Sequence, residues 1–311
     1  MMTPPSPSTT SRALRNDNDW WRIRDFILDT YPITPVGFIW ENRRWEGLRF
    51  HQERPVPVRR LRELVRIWES DGRIVGAAHP EGQGDVHLQV HPDFRHLEPA
   101  MYEWAENRLS LPSQDGRGRA ITTFVFDYDS LRQRVLLERG WEQLAAGGAT
   151  RHLRLGDQCV QPTPRIDGYT LRSTRVSDPN IAQRMADVIN AGFNTDLHTA
   201  TALNTFMTKS PTFTHGLNLV AENPDGSFAA HVGGTYDEHN RRGIIEPVCT
   251  HPNHRRQGLA RALILELFHR FKTLGVTDVY VDTGDDESAN AFYESAGFTE
   301  SYHGTVWGKT W

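Results

Sequence analysis

At 311 residues, with 35 Lys plus Arg against 39 Asp plus Glu and a formal net charge of −4, the chain has room for one large or two ordinary domains and advertises no basic surface for nucleic acid or anionic membrane. Its 2 cysteines, Cys159 and Cys249, open no C-x-x-C pair, which excludes a disulfide framework and a cysteine metal site and suits a reducing, cytoplasmic setting. There is no run of about eighteen apolar residues and no signal-peptide core, so neither a membrane span nor an export address is expected.

Residues 1–14 are rich in Ser, Thr and Pro and read as a disordered tail. Apolar spacing through Trp20, Ile23, Phe26 and Ile27 predicts a helix over 20–30. After a mixed stretch to Pro57, strands are predicted at 64–68, 73–78 and 85–90, the first two joined by the turn Asp71-Gly72. A helix at 98–109, a strand at 121–126 and a helix at 131–139 follow, and Gly140-Trp141 leads into a hairpin ending near Leu155. Residues 158–167, with Pro162 and Pro164, read as a linker. Beyond it come a strand at 169–173, helices at 181–191 and 200–209, a hairpin of 217–221 with 228–233 across Asp225-Gly226, and a strand ending at Thr250.

The order of elements recurs. His91-Pro92-Asp93-Phe94-Arg95 matches His251-Pro252-Asn253-His254-Arg255, Asp71-Gly72 matches Asp225-Gly226, and Gly140-Trp141 matches Gly297-Phe298. A period of roughly 155 residues means two copies of one domain, not a solenoid.

Chemistry concentrates in the second copy. The segment from Val248 through Ala260 reads as a strand end, a His-Pro turn, a basic loop and the start of a helix whose buried face is Leu259, Leu263, Ile264, Leu267, Phe268 and Phe271. Free N–H groups at a helix start, small residues at Gly258 and Ala260, and the charges of Arg255 and Arg256 suit a diphosphate; a solvated helix cap is the blander alternative. There is no Lys-Ser/Thr after the glycine and no G-x-G-x-x-G, so neither a nucleotide-hydrolase loop nor a dinucleotide fold is indicated. A second segment, Ser288-Ala289-Asn290-Ala291-Phe292-Tyr293-Glu294-Ser295-Ala296-Gly297-Phe298, follows the β-rich run 278–282 and reads as a helix carrying Tyr293 and stopped at Gly297.

In this order and spacing, Arg255-Arg256-Gln257-Gly258-Leu259-Ala260 and the Ala…Tyr-Glu-x-x-Gly-Phe segment resemble the GNAT superfamily of N-acetyltransferases. The resemblance implies an α/β (α+β mixed) class with two tandem GNAT-like domains, each a twisted mixed, mainly antiparallel sheet flanked by helices. It places a degenerate copy at 15–157 and a catalytic domain at 168–311. In the first copy Glu98 stands where Gly258 stands, Pro99 removes a donor, and Leu136 and Leu137 take the place of the tyrosine, so coenzyme binding is expected only in the second.

The resemblance further implies acetyl-coenzyme A as co-substrate and an amine of a small molecule or peptide as acceptor. Its diphosphate would lie on Arg255, Arg256, Gln257, Gly258, Leu259 and Ala260. Backbone N–H groups of Val248 and Thr250, with Cys249 between them, would hold the acyl carbonyl and pantetheine beside a splayed strand, which suits Pro247. Strand alternation places Glu246 on one face with Val248 and Thr250. Glu246 reads as general base or amine anchor, or as a carboxylate paired to Arg241, Arg242 or another basic side chain; Tyr293 reads as general acid for the leaving thiolate, or as a core tyrosine. Family members commonly carry Asn seven residues before the tyrosine; Asp286 stands there instead, with Asn290 one turn later. Asn194 and His198 lie where the family builds its acceptor pocket. No metal set is present, and a monomer or homodimer is expected. A non-catalytic acyl-coenzyme A binding or sensing module is the alternative function, and the acceptor is not fixed by the fold.

Overall fold

The computed structural model of the chain describes residues 9–113, 116–156 and 158–311. The expected disordered tail lies outside these up to residue 8, but Thr9–Ala13 is ordered as strand β1. There follow α1 (Asp17–Thr30), α2 (Asn42–Phe50), a short α3 (Val58–Leu61), β2 (Arg66–Ser70), β3 (Arg73–His79), β4 (His87–Val90), α4 (Glu98–Arg108), β5 (Leu111–Pro112), β6 (Arg119–Phe126), α5 (Ser130–Glu138) and β7 (Glu142–Arg154). Then come β8 (Thr170–Ser173), α6 (Ile181–Phe193), α7 (Ala200–Lys209), β9 (Asn218–Glu222), β10 (Phe228–Asp237), β11 (Arg242–Thr250), α8 (Leu259–Thr273), β12 (Asp278–Gly284), α9 (Glu287–Ser295) and β13 (Glu300–Thr310). Where a hairpin was expected between residue 140 and Leu155, β7 runs extended. Its Gly147 and Gly148 take no positive φ. Glycine permits a turn without requiring one. No helix among the described residues is long and apolar enough to cross a membrane.

The chain forms two compact units that exchange segments. The first comprises 1–41, 56–149 and 302–311; the second comprises 42–55 and 150–301. In the first, β1-β2-β3-β4 form an antiparallel sheet, and β6 pairs with β5 on one side and with Gly304–Thr310 of β13 on the other. Helix α1 starts at Asn16, whose side chain accepts from the Asp19 N–H, and buries the face read from the sequence: Trp20, Ile23, Phe26 and Ile27.

In the second unit the strand order is β8-β9-β10-β11-β12, antiparallel except between β11 and β12. Side chains alternate between two cores. Leu219, Ala221, Ala230, Val232 and Ile245 pack with Leu259, Leu263, Leu267 and Phe271 of α8, while Val220 and Cys249 pack with Ile181, Met185 and Ile189 of α6. Phe271 and Leu263 are 0 % exposed, each contributing about 2 to 3 kcal/mol by burial. Helix α2 packs on α7. The buried Glu46 carboxylate fixes it there, accepting from the Thr212 N–H and from the Ser210 and Thr212 hydroxyls at 3.0, 2.5 and 2.7 Å.

Candidate active site

Strand β11 is the spine of the site. Its parallel pairing with β12 spans only Arg242–Asp278 to Ile244–Tyr280, and from Ile245 onward that side of β11 has no ladder partner among the described residues. On its other side the register with β10 shifts between Val232 and Gly234, so Glu246 and Pro247 together oppose Gly233. A Cβ on Gly233 would lie 2.4 Å from the Glu246 carbonyl oxygen, which is why the bulge needs glycine there. The bulge resets the alternation. Ile245 and Val248, three apart, both pack on the α8 side, so Glu246 does not share a face with Val248 as unbroken alternation would require.

From Thr250 the chain enters a 3-10 turn at Pro252–His254 and an exposed loop. Arg255 is committed to carbonyls, donating to Gly192 at 2.9 Å and Thr250 at 3.4 Å, and so ties the loop to α6. Gln257 accepts from the Tyr169 hydroxyl at 2.9 Å. Arg256 is exposed with φ +64°, and Gly258 has φ +79°. Among the described residues Gly258 precedes α8 without a side-chain cap, and only Ile166 would meet a Cβ there, at 3.8 Å. Leu259 is buried as the first knob of the α8 core, and Ala260 is half-buried. The result is an uncapped, unobstructed helix start with a positive end.

Tyr293 is 7 % exposed and packs on Phe298 with ring centroids 5.7 Å apart. Burial, then the nearby Glu246 and Cys249, push its phenol above the ordinary value, so it stays protonated throughout the physiological range. Burial likewise pushes the Cys249 thiol up to about 12, which makes it a packing residue and not a nucleophile. Asp286 caps α9, accepting from the Ala289 N–H at 2.7 Å. Asn290 is engaged inside the protein: its oxygen accepts from Arg151 and Thr283, both at 2.8 Å, and its amide donates to the Gly284 and Asp286 carbonyls.

Glu246 pairs with Arg43 of α2, at 2.6 Å, a basic side chain from outside its own strand. Arg242 is held by Asp237 at 2.7 Å, and Arg241 donates to the Gly275 carbonyl. Around Arg43 stand the Phe206 ring, 5.5 Å from the guanidinium, and His51, which stacks on His198 at 5.3 Å. His198 is further fixed by mutual hydrogen bonds between its backbone and the Asn190 side chain. Asn194, with φ +53°, is the left-handed stop of α6. His231, opposite Cys249 in the ladder, is 1 % exposed, and neither of its ring nitrogens has a partner among the described residues. Arg43, His51 and His231 are absent from the sequence reading; a basic residue on a short helix far upstream carries no local signal of a partner at Glu246.

Burial first, then the charge of Arg43, lowers the pKa of His51 to about 4 and of His231 to about 3. Both folded values lie below the unfolded value near 6.5, so between them the unfolded chain binds more protons and stability rises with pH. The stabilisation is complete above pH 6.5 and is lost as pH falls toward the folded values. We expect a loss of about 2 kcal/mol per ring between pH 6.5 and pH 5, read by urea unfolding; a His231→Leu variant with the same slope as the wild type would contradict it.

The matching loop of the first unit is filled by its own side chains. Glu98, 0 % exposed at the start of α4, accepts from Arg95 at 2.8 Å and from Arg132 at 3.2 and 3.3 Å. Arg95 also bonds Asp129 at 2.6 Å, and both guanidinium groups lie over Phe38. Among the described residues no group of three or more His, Cys, Asp or Glu side chains is placed to hold a metal ion.

The model of the acetyltransferase (GNAT) family matches residues 192–298. No curated protein matches the chain. Among solved structures, a GCN5-related N-acetyltransferase from Sphaerobacter thermophilus superposes with TM-score 0.66 at 20% identity, covering 97% of this chain and 95% of that one. A tandem GNAT protein from the clavulanic acid biosynthesis pathway does so with TM-score 0.68 at 15% identity, covering 97% and 98%. A GNAT-family acetyltransferase from Colwellia psychrerythraea gives 0.59 at 11% identity, covering 96% and 98%. At these identities the likeness is one of fold, and it extends over both units. The chain thus has the tandem GNAT fold, and residues 192–298 of its second unit match the model of the GNAT family of acetyltransferases, a family of acyltransferase enzymes.

Proposed function

We propose that the second unit transfers an acetyl group from acetyl-coenzyme A to the amine of a small molecule or peptide. The observation that carries this reading is the edge of β11 at Val248 to Thr250, beyond the end of its ladder with β12, where no strand pairs with it among the described residues and the chain leads on into the helix start at Gly258. An extended thioester arm laid along that edge would take backbone N–H groups of Val248 and Thr250. The diphosphate would take the N–H groups of Gly258, Leu259 and Ala260 and the charge of Arg256. Arg255 and Gln257 hold the loop in shape, and Asp286 and Asn290 hold α9 and its tyrosine in place.

Glu246 binds the acceptor's ammonium and takes its proton. The freed amine attacks the thioester carbonyl carbon, a C–N bond forms, the nitrogen releases its second proton to solvent, and the C–S bond breaks. The thiolate departs toward Tyr293. Because burial raises that phenol, full proton transfer to a thiolate of ordinary pKa near 8.5 is uphill by more than about 2 kcal/mol. Tyr293 therefore acts mainly as a hydrogen-bond donor to the departing sulfur, and solvent completes the thiol. Accordingly Tyr293→Phe is expected to lower kcat about tenfold while leaving the acetyl-coenzyme A affinity within twofold. A thousandfold loss would mean an obligatory acid and contradict this assignment.

Incubation with acetyl-coenzyme A and a panel of small amines and short peptides, with thiol release and product mass followed together, tests the reading. Amine-dependent release of free coenzyme supports it. Tight binding with no release for any amine would favour a non-catalytic acyl-coenzyme A sensor.

A further inference from the structure

Building on the acyl-transfer reading, we propose that the acceptor is a zwitterion, an amine that also carries a carboxylate, held with its carboxylate on Arg43 and its ammonium on Glu246. Arg43 and Glu246 already form a 2.6 Å pair in the second unit, so one fixed cation and one fixed anion stand side by side. Of the five guanidinium donors of Arg43, one is used by a hydrogen bond among the described residues. The remainder present the planar fork that matches a carboxylate bidentately. The Arg43 side chain is 17% exposed and rests against the Phe206 ring, which fixes the fork in place.

The surroundings favour a neutral ligand with separated charges. An amine without a carboxylate would place its ammonium beside Glu246 and within reach of the Arg43 charge, where the two cations repel. A zwitterion meets each fixed charge with its opposite and leaves the net charge of the site unchanged. The ring of His231, buried with neither nitrogen partnered among the described residues, adds a donor and an acceptor on the sheet face it shares with Cys249. His51 and His198 stack as an uncharged wall beside Phe206, His51 lying 5.6 Å from that ring.

Matched acceptor pairs test this: glycine and glycinamide, β-alanine and its amide, γ-aminobutyrate and its amide, and lysine and its amide, assayed with acetyl-coenzyme A on the full chain. At least one acid should exceed its amide more than about tenfold in kcat/KM, mainly through KM. Arg43→Gln should bring that ratio to within about threefold, Arg43→Lys should retain part of it, and acetyl-coenzyme A binding should be unchanged in both. Equal rates for acids and amides in the wild type overturn the inference and leave amine acetylation standing. A proportionate loss for both members in Arg43→Gln, the mark of a merely structural role, overturns it too. If the coenzyme binds but no pair reacts, selective thermal stabilisation by the acids decides, and its absence overturns the inference. Failure to bind acetyl-coenzyme A removes the acyl-transfer reading itself and this inference with it.

Discussion

Gly258→Glu is expected to abolish acetyl-coenzyme A binding in titration calorimetry, with an affinity loss of about a hundredfold to a thousandfold. Two effects add. The backbone at Gly258 has φ +79°, where any side chain costs about 1 to 2 kcal/mol. The new carboxylate would also sit on the uncapped start of α8, accept the same N–H groups as a diphosphate and repel it. The first unit shows the arrangement in its native form, with Glu98 at the start of α4 under Arg95 and Arg132. Gly258→Ala separates the two effects: it carries the backbone strain without the charge and should lose only about tenfold. A glutamate variant binding within tenfold of the wild type would show that the coenzyme does not use this helix start.

The second large effect is expected at Glu246. Glu246→Gln keeps the size and a hydrogen bond to Arg43 but removes the base, so kcat should fall by about a hundredfold to a thousandfold with unchanged acetyl-coenzyme A affinity. The acceptor KM should rise as well, because the ammonium loses its anion. The two readouts are separable in single-turnover rates with preloaded coenzyme. A kcat within fivefold of the wild type would assign proton removal to another group and leave Glu246 as an anchor only.

The sequence is informative where function is local. The loop Arg255 to Ala260 and the helix stop at Gly297 with φ +102° each declare themselves within a few residues, because helix starts and caps are short-range features. Helices α1 and α8 also follow from their apolar spacing and bury the faces it marks, whereas α2 and α3 carry no such spacing that the sequence reveals. What escaped the sequence is long-range. Arg43 and Glu246 lie 203 positions apart, and no periodicity near Asn42 reveals that α2 clusters with the second unit. The same holds for Tyr302–Trp311, which cluster with the first unit through pairing with β6, and for Thr9–Ala13, whose register with β2 makes a strand of a polar stretch. The bulge defeated the alternation argument for a different reason. A one-residue shift against Gly233 reverses every side chain beyond it, and only the ladder on β10 records that shift.

Asn290 illustrates a third kind of gap. Its place on the face of α9 suited a coenzyme contact, but its side-chain oxygen and amide are occupied by Arg151, Thr283, Gly284 and Asp286. Sequence gives a residue's position on an element, whereas free hydrogen-bonding capacity depends on neighbours that arrive from other strands.

On the proposed reading one of the two units, the second, binds acetyl-coenzyme A. Titration of acetyl-coenzyme A into the wild-type chain should give a stoichiometry of one, with a single set of sites and no residual binding in Gly258→Glu. Two sites per chain, or one site that survives in the glutamate variant, would contradict it and return the Glu98 loop of the first unit to consideration as a binding site.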